Sequence, residues 1–211
     1  MSHPAPGPSR RPGPTRSMSV PAIATAAIAL ADARGLDAVT MREVAAALST
    51  SAAGLYRYVA SRDELLGHMV DVASAEVQHP AVTGDWVSDL TVVAARQRDV
   101  FAAHPWLAQA VSLPVAMGPH VLDHLDWGLT ALAPVDVPVG TKLEAIALVT
   151  GVAALFASAG AGPAGASLAG LDPVRHPHLV ALAEAPPMTA RSEGLFERVV
   201  AGVLRGVLDP A

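Results

Sequence analysis

Cysteine is absent from the 211 residues, which excludes disulfides and thiolate metal sites. Lysine is almost absent too: Lys142 stands alone among many arginines, a bias that points to a GC-rich bacterial genome. Aromatic residues amount to 4%, so the few rings present are the first places to look for a binding surface. No uninterrupted, strongly apolar run reaches the roughly 18 residues of a membrane span, and the opening "MSHPAPGPSRRPGPTRS" lacks the apolar core of a secretion signal. The expected location is the cytoplasm, with no membrane partner. Also missing are a Gly-x-Ser-x-Gly elbow, paired catalytic carboxylates and a cofactor fingerprint, so neither an enzyme nor a cofactor is expected. The glycine-rich "GAGPAGASLAG" follows no strand and ends in no Gly-Lys-Ser/Thr, so it reads as a loop and not a phosphate cradle.

What the chain has in quantity is apolar residues, 52% of the total, enough for a packed core. The net charge of −5 argues against a protein that coats nucleic acid generally. That charge is unevenly spread, however. From Met1 to Val70, Arg10, Arg11, Arg16, Arg34, Arg42, Arg57 and Arg62 outnumber Asp32, Asp37, Glu43, Asp63 and Glu64, and the acidity lies behind them.

Residues 1–17 hold prolines, glycines, serines and three arginines with little that is apolar, the composition of a flexible basic arm. Helical periodicity then begins. Ser19 reads as a cap with Pro21 in the first turn, and Gly35 as a stop. "TMRE" from Thr40 and "SRDE" from Ser61 read as capping boxes, and Ser51 as the cap of a short helix, residues 52–59. Four helices within about 60 residues, two nearly abutting, spell a helix-turn-helix unit. Further helices follow: one with Trp86, Leu90, Val93, Gln97 and Val100 in a stripe, "GPHVLDHLDWGLTALA", "TKLEAIALVTGVAALFASA" and "EGLFERVVAGVLRGVL". The third of these is apolar nearly all round and is expected to be buried on two sides. The fold class is all-α, with no convincing strand.

The short helix is unusual in being slim at its front. A helix entering the major groove of DNA must bring its backbone near the bases, and Ala52, Ala53 and Gly54 remove bulk there. Thr50 and Ser51 can read base edges through hydroxyls, and Arg57 can reach a guanine edge or a phosphate. Tyr56 and Tyr58 can direct hydroxyls at the backbone, with Arg62 adding charge beside a helix start and Thr40 and Arg42 facing the phosphates from the other side. Leu55 falls within the same run and completes the expected DNA-binding set.

This stretch, "TMREVAAALSTSAAGLYRYVASRDEL", resembles without a gap the DNA-binding signature of the TetR family of bacterial transcriptional regulators. The later helices resemble, more loosely, the regulatory half of its tetracycline-repressor-like, actinobacterial branch. The resemblance implies an N-terminal three-helix helix-turn-helix domain (18–66), joined by a long helix to a C-terminal ligand-binding and dimerisation domain (67–211). It implies a ligand-responsive regulator, a repressor that binds a palindromic double-stranded operator as a homodimer and is released by a small, mostly apolar effector. The dimer helices would be 141–159 and 192–208, with Gly151, Gly202 and Gly206 allowing close approach. Ser49 and Thr50 stand where the family usually has Gly-Val, so any left-handed backbone there falls on a serine.

For the effector pocket, the candidate lining residues are Phe101, Trp106, Leu113, Met117, Leu122, Trp127, Leu148 and Phe156. His120, Asp123 and His124 have a spacing at which imidazoles can share a metal, but no third strong ligand is evident and no metal is expected.

Overall fold

Side-chain caps begin the early helices where the sequence places them. The structure, a computed structural model, describes residues 18–114, 116–158, 172–184 and 194–209. The basic arm and the glycine-rich loop lie outside the described residues. Helix α1 (Val20–Arg34) starts with Ser19 Oγ accepting from the Ala22 amide and ends at Gly35. A 3-10 turn, Leu36–Ala38, leads to α2 (Met41–Ala47), where Thr40 Oγ1 accepts from the Glu43 amide at 3.2 Å. The expected return bond from Glu43 is not made, because its carboxylate pairs with Arg34 and Arg42 instead. Helix α3 (Ala52–Leu55) is capped by Ser51, and turns through Tyr58 extend it to Val59. Helix α4 (Arg62–Ser74) is capped by Ser61, while Glu64 Oε2 accepts from the Ala60 amide.

Between α2 and α3 the chain turns at Ser49 with φ 53°, the one non-glycine residue with positive φ among those described. A side chain in that region costs roughly 1 kcal/mol or more, so the surrounding contacts must hold the turn. The holding contacts are visible: the Ser49 amide bonds the Ala46 carbonyl at 3.0 Å and the Thr50 amide the Ala45 carbonyl at 2.9 Å, while Val44 and Leu55 bury the helices on either side.

The remainder is a helical body of α5 (Trp86–Ala103), α6 (Leu107–Ala110), α7 (Pro119–Ala131), α8 (Val139–Ser158), α9 (Pro177–Glu184) and α10 (Leu195–Leu208). Helix α8 packs on α5 and α10, and α4 reaches from α1 into this body to meet α6 and α7. Among the described residues there is no strand. The two-sided burial expected of α8 is corrected within the single chain. Ala145, Ile146, Val149 and Ala153 face the core, while Val139, Leu148 and Leu155 lie exposed. By length and composition alone this helix could cross a membrane.

Asp71 joins α4 to α7. Its Oδ1 accepts from the amides of His120 at 2.8 Å and Val121 at 3.2 Å, and its Oδ2 from His120 Nδ1 at 3.0 Å. A buried carboxylate thus serves as the missing cap of α7, whose own N-cap, Gly118, offers no side chain. Gly118 is required by this approach, since a methyl there would overlap the carboxyl. Asp71→Asn should lower stability by about 1–2 kcal/mol, the difference between charged and neutral acceptors, read as a lower urea midpoint at unchanged slope.

Candidate nucleic-acid interface and effector cavity

The α2–α3 pair carries most of the candidate residues on its exposed positions. Arg42, Ser51, Ala53, Tyr56, Arg57 and Tyr58 are exposed, Tyr56 by 53% and Tyr58 by 41%. Thr50, Ala52 and Gly54 are partly covered at its edge. Thr40 and Ser51 use their oxygens to cap α2 and α3, accepting from Glu43 and Gly54 amides, so each hydroxyl proton stays free to donate outward. The phosphate-facing and base-facing candidates other than Leu55 and Arg62 are therefore exposed or partly exposed to solvent.

Two expected contacts are corrected by burial and bonding. Leu55 is 0% exposed and packs with Val59 and Leu65 into the core, so it anchors α3 from behind and offers nothing to DNA. Arg62 turns inward: Nε donates to the Val39 carbonyl at 2.8 Å and Nη2 to the Leu36 carbonyl at 3.1 Å. Those carbonyls belong to the turn before α2, so the guanidinium braces the helix-turn-helix scaffold. Its job is positional.

Behind this unit a cavity of about 330 Å³ lies among α4, α5, α6, α7 and α8. Of the eight lining candidates it brings in Phe101 and Met117. The other six stand elsewhere. Trp106 is buried with Nε1 donating to Asp32 at 2.7 Å, and Trp127 Nε1 donates to the Pro80 carbonyl at 2.8 Å. Phe156 packs edge-on to Phe196 at 5.2 Å. Leu113, Leu122 and Leu148 are exposed and lie outside the lining of this cavity. The actual wall is aliphatic, with Val70, Val77, Val100, Leu107, Val121, Leu125 and Ile146, and sequence periodicity flags these positions only as core.

Polar groups of the cavity belong to a chain that ends at His79, outside its lining. His79 Nε2 and His124 Nδ1 are 2.8 Å apart; Gln97 Nε2 lies 3.1 Å from both His124 Nε2 and Thr150 Oγ1. Burial, and secondarily the nearby His79, depress the His124 pKa from 6.5 to about 4, so the ring is neutral at pH 7. His79 is lowered as well, by burial first and then by Arg96. His120 instead meets Asp71, so the two imidazoles of the spaced pair point to different partners. Among the described residues no cluster could hold a metal ion.

A further junction ties α1 and α4 to the body. His104, after α5, sets Nδ1 2.8 Å from Asp32 and Nε2 3.3 Å from Glu76. Carboxylates at both nitrogens favour the doubly donating, protonated ring. Burial alone would lower its pKa, but the hydrogen bond and charge of Asp32, together with Glu76, outweigh that and raise it.

A slim exposed helix in a helix-turn-helix unit is thus mounted on a helical body with its own cavity. Residues 17–69 match the family described as bacterial regulatory proteins, tetR family, so the helix-turn-helix unit belongs to that TetR family. It is 35% identical over 146 residues to the transcriptional repressor DrrR1 of Streptomyces coeruleorubidus, covering 68% of this chain and 53% of that one. A transcriptional regulator of Saccharopolyspora erythraea is 33% identical over 112 residues, covering 53% of this chain and 48% of its own. The chain thus spans about half the length of the curated relatives it matches. The TetR-family protein ActR of Streptomyces coelicolor, solved in complex with actinorhodin, superposes with TM-score 0.72 at 27% identity, covering 93% of this chain and all of that one.

Proposed function

We propose that the protein is a ligand-responsive transcriptional regulator that represses by occupying an operator. The observation that carries this is the exposed α2–α3 face, slim at Ala52, Ala53 and Gly54 and edged by Tyr56, Arg57, Tyr58 and Arg42. One such unit spans too few base pairs for specificity, so the working form is a homodimer reading a palindromic operator, with half-sites about 34–36 Å apart. The exposed Leu148 and Leu155 of α8, with open space around Gly151, Gly202 and Gly206, give α8 and α10 an apolar, closely approachable face for a second copy. DrrR1, a repressor by name, favours repression over activation.

The effector enters the cavity and is small and mostly apolar. Helix α4 lines that cavity with Val70 and Ser74, Val77 joins them from the turn just after it, and the first residue of α4, Arg62, braces the turn before α2. A ligand that displaces α4 therefore shifts the reading helices, provided it binds the two states with different affinity, by about 1–3 kcal/mol. ActR bound to actinorhodin is a precedent for a ligand in this architecture. Such a regulator works in the cytoplasm, beside the DNA.

The test is fluorescence anisotropy on duplexes from the region upstream of the protein's own gene. Specific, salt-sensitive binding is expected, and Arg57→Ala should weaken it and reduce the slope of log affinity against log salt by about 1. Equal binding to operator and scrambled duplexes would refute the reading.

A further inference from the structure

Gln97 is a polar side chain enclosed in an apolar wall, only 7% exposed. Its orientation can be deduced. Thr150 Oγ1 lies 3.0 Å from the Ile146 carbonyl one helical turn back, which can only accept, so the hydroxyl proton is committed there. The same oxygen can then only accept from Gln97, which must turn its nitrogen towards it at 3.1 Å. The second amide hydrogen points at His124 Nε2, 3.1 Å away, making that atom an acceptor and placing the ring proton on Nδ1, towards His79. Both N–H groups of the amide are used, and its Oε1 accepts from no group among the described residues. No fully buried side-chain oxygen among the described residues lacks a partner, so Oε1 is accessible, and the space Gln97 lines is the cavity.

Around this acceptor the other polar groups have spent their donors. Ser74 Oγ donates to the Val70 carbonyl at 2.8 Å and Ser112 Oγ to the Ala108 carbonyl at 3.4 Å. The lining residues include no aspartate, glutamate, lysine or arginine. A charged ligand would lose its hydration without a counter-charge, whereas a neutral one carrying an O–H or N–H would find a fixed, unmet acceptor.

We propose that Gln97 is the specificity-determining residue of the cavity, selecting uncharged, largely apolar molecules that present a hydroxyl or N–H donor to its Oε1. The inference rests on the cavity being the effector site. Thr150 and His124 act as positioning residues that hold the amide oxygen towards the ligand. The cost of leaving a buried acceptor unmet makes the discrimination roughly tenfold or more.

The test compares 2-naphthol, its isostere 2-methylnaphthalene and the anion 2-naphthoate at pH 7, by calorimetric titration of the full chain and of Gln97→Met. In wild type, naphthol should bind and naphthoate should not. In the variant the preference for naphthol over methylnaphthalene should fall by about tenfold, with methylnaphthalene affinity kept. An unchanged preference in the variant, naphthoate binding as tight as naphthol, or no binding by any of the three would overturn the assignment. If the variant fails to fold, the naphthol and naphthoate titrations on wild type still decide between these outcomes. Anisotropy with operator DNA on the same preparations separates the two levels: specific DNA binding with no ligand discrimination sinks the Gln97 assignment alone, and absent specific binding sinks the regulator reading itself.

Discussion

Ala53→Leu should abolish specific operator binding, by about 100-fold or more, while leaving the unfolding midpoint unchanged. Ala53 is exposed on α3, so its side chain meets no neighbour that a larger one would displace. Leucine is also nearly as good a helix former as alanine, so folding should not object. What does change is the distance of closest approach. A leucine at the front of the reading helix holds the backbone off the base edges, and every hydroxyl and guanidinium contact behind it loses its geometry together. Gly54 would be a poorer site for the experiment: a Cβ there would lie 2.8 Å from Thr50 Oγ1, so even alanine disturbs the protein before DNA arrives. The matched control is Ala29→Leu, the same change at an exposed position of α1, which should leave binding unaltered. Binding retained in Ala53→Leu, measured by anisotropy alongside thermal unfolding, would mean that α3 does not enter the groove.

The face probed by that experiment was legible in the sequence because its determinants are local. Ser19, Thr40, Ser51 and Ser61 cap helices where their spacing to the following amides says they should, and Ser49 takes the left-handed conformation implied by its place in the turn. Burial was less legible even here. Leu55 lies in the middle of an exposed run yet faces the core, and Arg62 finds carbonyls 23 and 26 residues away that no local pattern reveals. The cavity was harder still. Aromatic scarcity singled out Trp106 and Trp127, but an indole N–H in the interior needs an acceptor, and each finds one through a long-range contact, Asp32 and the Pro80 carbonyl, away from the cavity. The wall is built instead from ordinary aliphatics and Gln97, which sits in the same helical stripe as Leu90 and Val93 and so reads as one more core position. The all-round apolarity of α8 is informative in a different way: one face fills the core, and the other, with Leu148 and Leu155 exposed, is the face proposed to meet a second copy.

Between pH 6.5 and 4 the protein should lose about 3 kcal/mol of stability through His124 alone. The ring's pKa in the folded chain is about 4, against 6.5 for the exposed side chain, because burial and the adjacent His79 both oppose a charge. In that interval the unfolded chain binds a proton that the folded chain refuses, so unfolding takes up protons and stability rises with pH. The contribution is therefore complete above pH 6.5 and is lost as pH falls towards 4. His79, shifted in the same direction, adds to the loss. The hydrogen-bond chain acts in the same sense, since a proton on His124 Nε2 would set two donors face to face across the 3.1 Å to Gln97 Nε2. Urea unfolding at several pH values, on wild type and on His124→Asn, reads this out. Asparagine cannot titrate, so the wild-type advantage should be largest near neutrality and shrink by about 3 kcal/mol on acidification. A pH-independent difference between the two proteins would show that the imidazole titrates alike in folded and unfolded chains, and that it is not the neutral acceptor that fixes the Gln97 amide.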